Sequence, residues 1–249
     1  MSDLPKIQFL ELPIEMEKEF FYNFLFKSDL SKYIFKRHPR IENVYKIKSL
    51  EKRMKFIEKY IEDYRDINFK TIKHNILNYE LAWKKIEKEY FTTLAQIIDI
   101  KWPRNRKIIK AYLSINSICP RFLKDWTFTT YYNYPNTKDV LEVIMHECCH
   151  FLYFEKWKKI FPKMSQKRFE SPYIEWHLSE IIAPIILNDK RIQRILKKKA
   201  KFYEEYDNTK IGNESIADHF SQLYLNCVDK MSFEKLLKIF YKKIKNIKI

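Results

Sequence analysis

Glycine is nearly absent from this chain, since Gly212 is the only one among 249 residues. The phosphate-binding loops of P-loop NTPases and dinucleotide-binding folds need several glycines, because their backbone closely approaches the phosphates. The nucleophile elbow of α/β-hydrolases needs flanking glycines for its sharp turn. The sequence therefore excludes the common motifs for nucleotide-dependent chemistry and for that class of serine hydrolase.

Disulfide frameworks and membrane-spanning segments are also missing. The chain has four cysteines without a CxxC pair, and the adjacent Cys148 and Cys149 are expected to pack as small apolar side chains. The apolar runs are too short to span a bilayer. Residues 1–5 lack the basic and apolar regions of a signal peptide. We therefore expect a reduced, cytoplasmic protein with no membrane partner.

Basic residues outnumber acidic ones, with 48 Lys and Arg against 32 Asp and Glu and a formal net charge of +16. Such an excess is compatible with a polyanion partner such as nucleic acid. The basic residues form short clusters at 36–40, 104–107 and 197–201. None of the clusters has the interleaved aromatics and glycines of an RNA-binding sheet. Solvated basic surfaces are therefore favoured over a nucleic-acid site.

One short motif carries chemistry, because residues 146–150 have the form HExxH. On a helix, residues four apart share a face, so the imidazoles of His146 and His150 converge. Neutral imidazole is a good ligand for Zn²⁺. Glu147 is placed to act as a general base on a metal-bound water. The spacing predicts zinc as the cofactor, with His146 and His150 as ligands and Glu147 as the catalytic residue.

The residues around the motif indicate a buried helix. Residues 140–145 and 151–154 are almost entirely apolar, which is typical of a helix in a protein core. Polar side chains in a core need partners, and a zinc ion would serve His146, Glu147 and His150 together. The alternative is a buried pair of histidines that are satisfied by hydrogen bonds. Asn136 or Thr137 is expected to cap this helix, and Pro162 to follow its end.

The remaining pattern predicts an α+β fold that is mostly helical. Residues 107–115 and 126–132 are rich in β-branched and aromatic residues, which favours strands. Apolar spacing predicts helices through the first hundred residues. Two of these are a helix capped by Ser49 and a helix over 71–97, and later helices are expected at 172–198, at 213–226 and from Ser232. We expect a helical region at 1–100 packing on a metal-binding domain at 101–249.

Catalytic zinc usually has three protein ligands, so a third is expected. The compact HExxHxxGxxH pattern is excluded because Lys156 stands where its last histidine would be. Glu180 is one candidate for the third ligand, since the apolar residues around it predict a helix position that faces inward. His177 and Glu214 are the alternatives.

The motif and the residues after it resemble the gluzincin branch of the zincin metallopeptidases, of bacterial type, over about residues 105–225. Residues 175–183 are similar to the second ligand helix of that branch, with Glu180 and Ala183 in register and Trp176 displaced by one residue. This resemblance implies Glu180 as the favoured third ligand. Residues 214–220 resemble a segment of the zincins that cleave phage repressors, which is the basis for Glu214 as an alternative ligand.

This resemblance implies a zincin-like core, in which a small sheet accompanies the HExxH helix and a Glu-bearing ligand helix. It also implies hydrolysis of a peptide or protein substrate through a zinc-bound water that Glu147 activates. A zincin-like zinc-binding protein without proteolytic activity is one alternative function. A basic, helical, nucleic-acid-associated protein is the other.

Two supporting roles stay open in this interpretation. Pro184 stands where many gluzincins carry an orienting aspartate, so Glu142 or Asp218 is expected to orient a ligand histidine instead. A hydrogen-bond donor to the transition state is also needed. The candidates for that donor are His177, His219 and Tyr224.

Overall fold

The computed structural model describes residues 4–247, so residues 1–3 and 248–249, including the start of the segment considered above for a targeting signal, lie outside it. The chain is 63% helical with a small mixed sheet, which confirms the α+β, mostly helical class. Between residues 4 and 247, no helix combines the length and apolar character that crossing a bilayer requires.

The described residues form ten α-helices and six strands. In chain order these are β1 (Lys6–Glu11), α1 (Ile14–Phe26), α2 (Ser31–Arg37), α3 (Leu50–Lys84), α4 (Glu87–Ile98), β2 (Ile108–Ser114), β3 (Arg121–Phe122), β4 (Thr127–Tyr131), α5 (Thr137–Ile160), α6 (Ile174–Leu187), α7 (Lys190–Leu196), α8 (Glu204–Asn208), β5 (Lys210–Ile211), β6 (Glu214–Ser215), α9 (Ile216–Cys227) and α10 (Phe233–Ile244). Short 3₁₀ helices cover Pro39–Lys46 and Gln166–Phe169.

The chain forms two compact units that are discontinuous in sequence. The sheet unit comprises residues 6–85 and 108–140, and the helical unit comprises residues 4–5, 86–107 and 141–247. This division differs from the expected regions 1–100 and 101–249. The difference arises because β1 pairs with β2 and so joins the two sides of the expected boundary.

The four-stranded sheet lies in the sheet unit, in the order β1-β2-β4-β3. β1 and β4 both run parallel to β2, and β3 runs antiparallel to β4. The strands expected at 107–115 and 126–132 are confirmed as β2 and β4. The expectation of helix throughout the first hundred residues is wrong at β1. Its alternation of buried Ile7 and Phe9 with exposed neighbours is a strand period, but its pairing partner lies about a hundred residues away.

Several helix boundaries agree with the sequence and others shift. Ser49 caps α3 as expected, by accepting from the backbone N–H of Lys52. α3 then continues for 35 residues, so the first part of the helix expected at 71–97 belongs to it and the rest forms α4. The helix expected at 172–198 is likewise divided into α6 and α7, because Asp189 caps a new helix.

A buried ion pair joins the elements of the sheet unit. Glu17 on α1 is fully buried, and its carboxylate accepts hydrogen bonds from Arg65 on α3 and from the Ser114 hydroxyl at the end of β2. The backbone N–H of Ile115 also donates to this carboxylate, at 3.1 Å. Arg65 in turn donates to the carbonyl of Leu12, just after β1. One pair of charges thus connects two helices and two strands.

We expect Glu17→Gln to lower the free energy of unfolding by about 3 kcal/mol, because Arg65 would stay charged and buried without its countercharge. Chemical denaturation followed by circular dichroism measures the change. Glu15→Gln is the matched control, since Glu15 lies on the same helix with its side chain 74% exposed. A similar loss of stability in both variants would contradict the assignment.

Candidate metal centre

The helix that carries the HExxH motif begins and ends where the sequence predicts. α5 runs from Thr137 to Ile160, and the Asn136 side chain caps it by accepting from the backbone N–H of Asp139 at 3.0 Å. Tyr90 of α4 donates to the carbonyl of Met145, the residue before the motif. The motif is therefore held on a buried helix with a side-chain contact directly at its start.

His146 and His150 converge with Glu180 of α6. The Nε2 atoms of the two imidazoles lie 2.9 Å apart. One carboxylate oxygen of Glu180 lies 3.1 Å from His146 Nε2, and the other lies 3.4 Å from His150 Nε2. Within residues 4–247, these side chains are the one group of three or more His, Cys, Asp or Glu whose ligand atoms all lie within 4.8 Å of one another.

Hydrogen bonds cannot account for all three contacts at once. Each Nε2 carries either one proton or one lone pair, so it makes one hydrogen bond. The three contacts among His146, His150 and Glu180 would need two bonds from each Nε2. A cation bound by a lone pair from each side chain would satisfy all three groups together. This favours a metal over the alternative of a hydrogen-bonded histidine pair.

The spacing and chemistry of the donors fit zinc. Ligands about 2.0–2.1 Å from a tetrahedral zinc ion lie about 3.3 Å from one another, and the observed separations of 2.9, 3.1 and 3.4 Å lie around that value. Two imidazoles and one carboxylate are a donor set of zinc hydrolases. Glu180 is buried, and a carboxylate in that environment needs a charge partner.

Glu147 and the two cysteines complete the motif. Glu147 is 6% exposed and lies outside the group of three ligand atoms. Burial raises the pKa of the Cys148 and Cys149 thiols, and the charge of Glu147 raises both further. Both side chains are buried and lie outside the group of three ligand atoms, so they serve as small apolar side chains.

His177, the first alternative ligand, lies three residues before Glu180 but outside the group of three. Its Nδ1 is 2.9 Å from the hydroxyl of Tyr206 on α8. Burial lowers the pKa of His177, although Glu205 and Glu180 oppose the shift, so the imidazole is neutral at pH 7. Burial raises the pKa of Tyr206, and Glu205 and Glu180 add to that shift. Nothing in the sequence singles out Tyr206, because only the fold brings it to His177.

Glu214, the second alternative ligand, also lies outside the group of His146, His150 and Glu180, and it pairs with His219 instead. Its carboxylate lies 3.3 Å from Nδ1 of His219. Asp218 forms part of the cap of α9, where its N–H donates to Ser215 Oγ at 3.0 Å and its carboxylate accepts from the same hydroxyl. The structure thus gives Glu214, His219 and Asp218 local partners on and beside α9.

Tyr224 and Glu142 also have partners of their own. The hydroxyl of Tyr224 donates to Asp189, the cap of α7, at 2.7 Å. Glu142 forms an ion pair with Lys198 at 2.5 Å and accepts from the backbone N–H of Lys201 at 3.2 Å. These contacts link helices and loops of the helical unit. They engage both Tyr224, a candidate hydrogen-bond donor to the transition state, and Glu142, a candidate for orienting a ligand histidine.

No family model, no curated protein and no solved structure matches this chain. The resemblance to the gluzincins therefore stays a prediction from the motif.

We expect protein purified without chelator to contain about one zinc ion per chain. His146→Ala and Glu180→Ala should each lose most of it, because two ligands bind zinc much more weakly than three. Inductively coupled plasma mass spectrometry measures the metal content and also detects iron or manganese. Glu214→Ala is the control and should keep the wild-type amount. Zinc lost from Glu214→Ala and kept in Glu180→Ala would reverse the ligand assignment.

We expect Tyr224→Phe to lower the free energy of unfolding by about 2 kcal/mol, because the charged Asp189 loses a buried hydrogen bond. Its zinc content should match the wild type. Denaturant titration and metal analysis of the same preparation test both statements. A stable variant with reduced zinc would show that Tyr224 acts at the metal centre instead.

Proposed function

We propose that this chain is a zinc-dependent metallopeptidase. The observation that carries the proposal is the convergence of two Nε2 atoms and the Glu180 carboxylate beside Glu147 of the HExxH motif. His146, His150 and Glu180 would hold the ion. When bound, zinc supplies a Lewis acid that acidifies water and polarises a carbonyl group.

Glu147 acts as the general base in this proposal. It follows His146 by one residue, which turns it about 100° around the helix from that ligand. Its carboxylate is therefore placed beside the metal ligands and not among them. It would take the proton from the attacking water and deliver it to the departing amine, which balances the hydrolysis. Its burial keeps the carboxylate in a medium of low dielectric constant, where its interactions are strong.

Exposure within the cluster supports a catalytic site over a purely structural one. The His146 side chain is 18% exposed, whereas the His150 and Glu180 side chains are each 1% exposed. Solvent therefore reaches the cluster from the side of His146. A structural zinc site fills its fourth position with protein, while a catalytic site keeps it open to water and substrate. Three protein ligands with one accessible side match the second arrangement.

His177 keeps the role of hydrogen-bond donor to the transition state, with Tyr206 holding its ring. The hydroxyl of Tyr206 lies 2.9 Å from Nδ1 of His177 and holds the imidazole ring through that nitrogen. In this proposal the proton of the neutral imidazole is on Nε2, which makes this nitrogen the donor. Its position on α6, one turn before Glu180, is suitable for a carbonyl held at the metal centre.

We expect Glu147→Gln to keep its zinc and to lower the rate of peptide hydrolysis by about 10²–10⁴-fold, because amide oxygen cannot accept the proton. Mass spectrometry of a peptide mixture incubated with the zinc-loaded protein measures cleavage. Glu155→Gln, on the same helix, should cleave at the wild-type rate. Zinc-loaded wild type that cleaves no peptide, or Glu147→Gln that cleaves normally, would contradict the proposal.

A further inference from the structure

We propose that residues 197–206 form a wall of the metal centre and select peptide substrates with acidic residues near the scissile bond. This inference rests on the proposed metallopeptidase function and adds the substrate class.

The first end of the segment is bound to the helix that carries the histidines. Lys198 and the backbone N–H of Lys201 both contact the carboxylate of Glu142, at 2.5 and 3.2 Å. Glu142 precedes His146 by four residues, so the two side chains share a face of α5 one turn apart, about 5–6 Å. Residues 198–201 therefore lie beside the turn that leads into the more exposed metal ligand.

The second end of the segment is bound to the helix that carries Glu180. Tyr206 is fully buried, and its hydroxyl lies 2.9 Å from Nδ1 of His177. His177 precedes Glu180 by three residues, on the same face of α6. The segment thus runs from one ligand helix to the other and borders the metal centre between them.

Hydrogen bonds hold the first half of this wall in place. The side chain of Asn188, at the end of α6, binds both backbone groups of Ala200, at 2.8 and 3.0 Å. The Gln193 side chain donates to the carbonyl of Lys198 at 2.8 Å. Ala200 itself is buried. Lysines on a backbone that is held in this way keep a defined position relative to the metal ligands.

The charge of the segment changes sign along its length. Residues 197–201 include four lysines, of which Lys198 pairs with Glu142 while Lys199 and Lys201 are exposed. The other end is acidic, and Glu205 lies 3.7 Å from His177. The backbone N–H of Lys201 contacts Glu142, which lies one turn before His146. An extended peptide advances about 3.3 Å per residue, so the side chains of Lys199 and Lys201 would reach peptide side chains within about three residues of the cleaved bond. Carboxylates at those positions would be attracted to this end of the wall.

Fluorescence anisotropy tests the inference on zinc-loaded Glu147→Gln protein, which binds peptide without cleaving it. The probes are a short fluorescein-labelled peptide rich in glutamate and a matched peptide with glutamine at the same positions. We expect the glutamate peptide to bind more tightly, and more weakly as salt is added. Adding Lys199→Gln and Lys201→Gln should weaken its binding about fivefold and leave the glutamine peptide unchanged.

Lys52→Gln with Lys55→Gln is the matched control, because it removes the same charge from the exposed surface of α3. An equal effect of both double variants, or equal binding of the two peptides, would overturn the inference. Tighter binding of a single-stranded DNA oligonucleotide, dependent on Lys199 and Lys201, would overturn it in favour of nucleic acid. Selective peptide binding by protein that hydrolyses no peptide would contradict the metallopeptidase proposal and leave the binding preference standing.

Discussion

The candidate metal centre is argued from a limit of hydrogen bonding: an imidazole Nε2 makes one hydrogen bond. His146 and His150 bring two such atoms within 2.9 Å of each other, and Glu180 brings a carboxylate to both. No assignment of protons turns all three contacts into hydrogen bonds, whereas one cation satisfies them together. His150 and Glu180 are buried, which makes the electrostatic partner of the Glu180 carboxylate important.

Several buried contacts hold α6, which carries Glu180, beside α5, which carries the two histidines. Glu175 of α6 is fully buried and accepts from Arg168 at 2.9 Å and from Tyr241 of α10 at 2.6 Å. Stacking of Phe154 on Phe169, with ring centroids 4.4 Å apart, joins α5 to the 3₁₀ helix before α6. These contacts position the helix on which Glu180 lies, and Tyr90 holds the start of the motif. The ligand geometry thus comes from several elements of the helical unit.

Local sequence patterns predicted much of the secondary structure. Helix caps and strand alternation involve neighbouring residues, so they can be predicted from the sequence. The examples here are the caps at Asn136 and Ser49 and the strands β2 and β4. β1 was missed because a short parallel strand depends on a distant partner. The partners of Glu142 and Tyr224 were missed for the same reason, since Lys198, Lys201 and Asp189 are far from them in sequence.

The sequence by itself determined the pairing of His146 with His150 and the adjacent position of Glu147, because helical periodicity places residues four apart on one face. It left Glu180, His177 and Glu214 as competing third ligands. Only the tertiary structure distinguishes among these candidates, because it brings Glu180 to both imidazoles, whereas His177 contacts Tyr206 and Glu214 contacts His219. The reason is physical: a contact between separate helices depends on how they pack, and one chain's local pattern does not encode that packing directly.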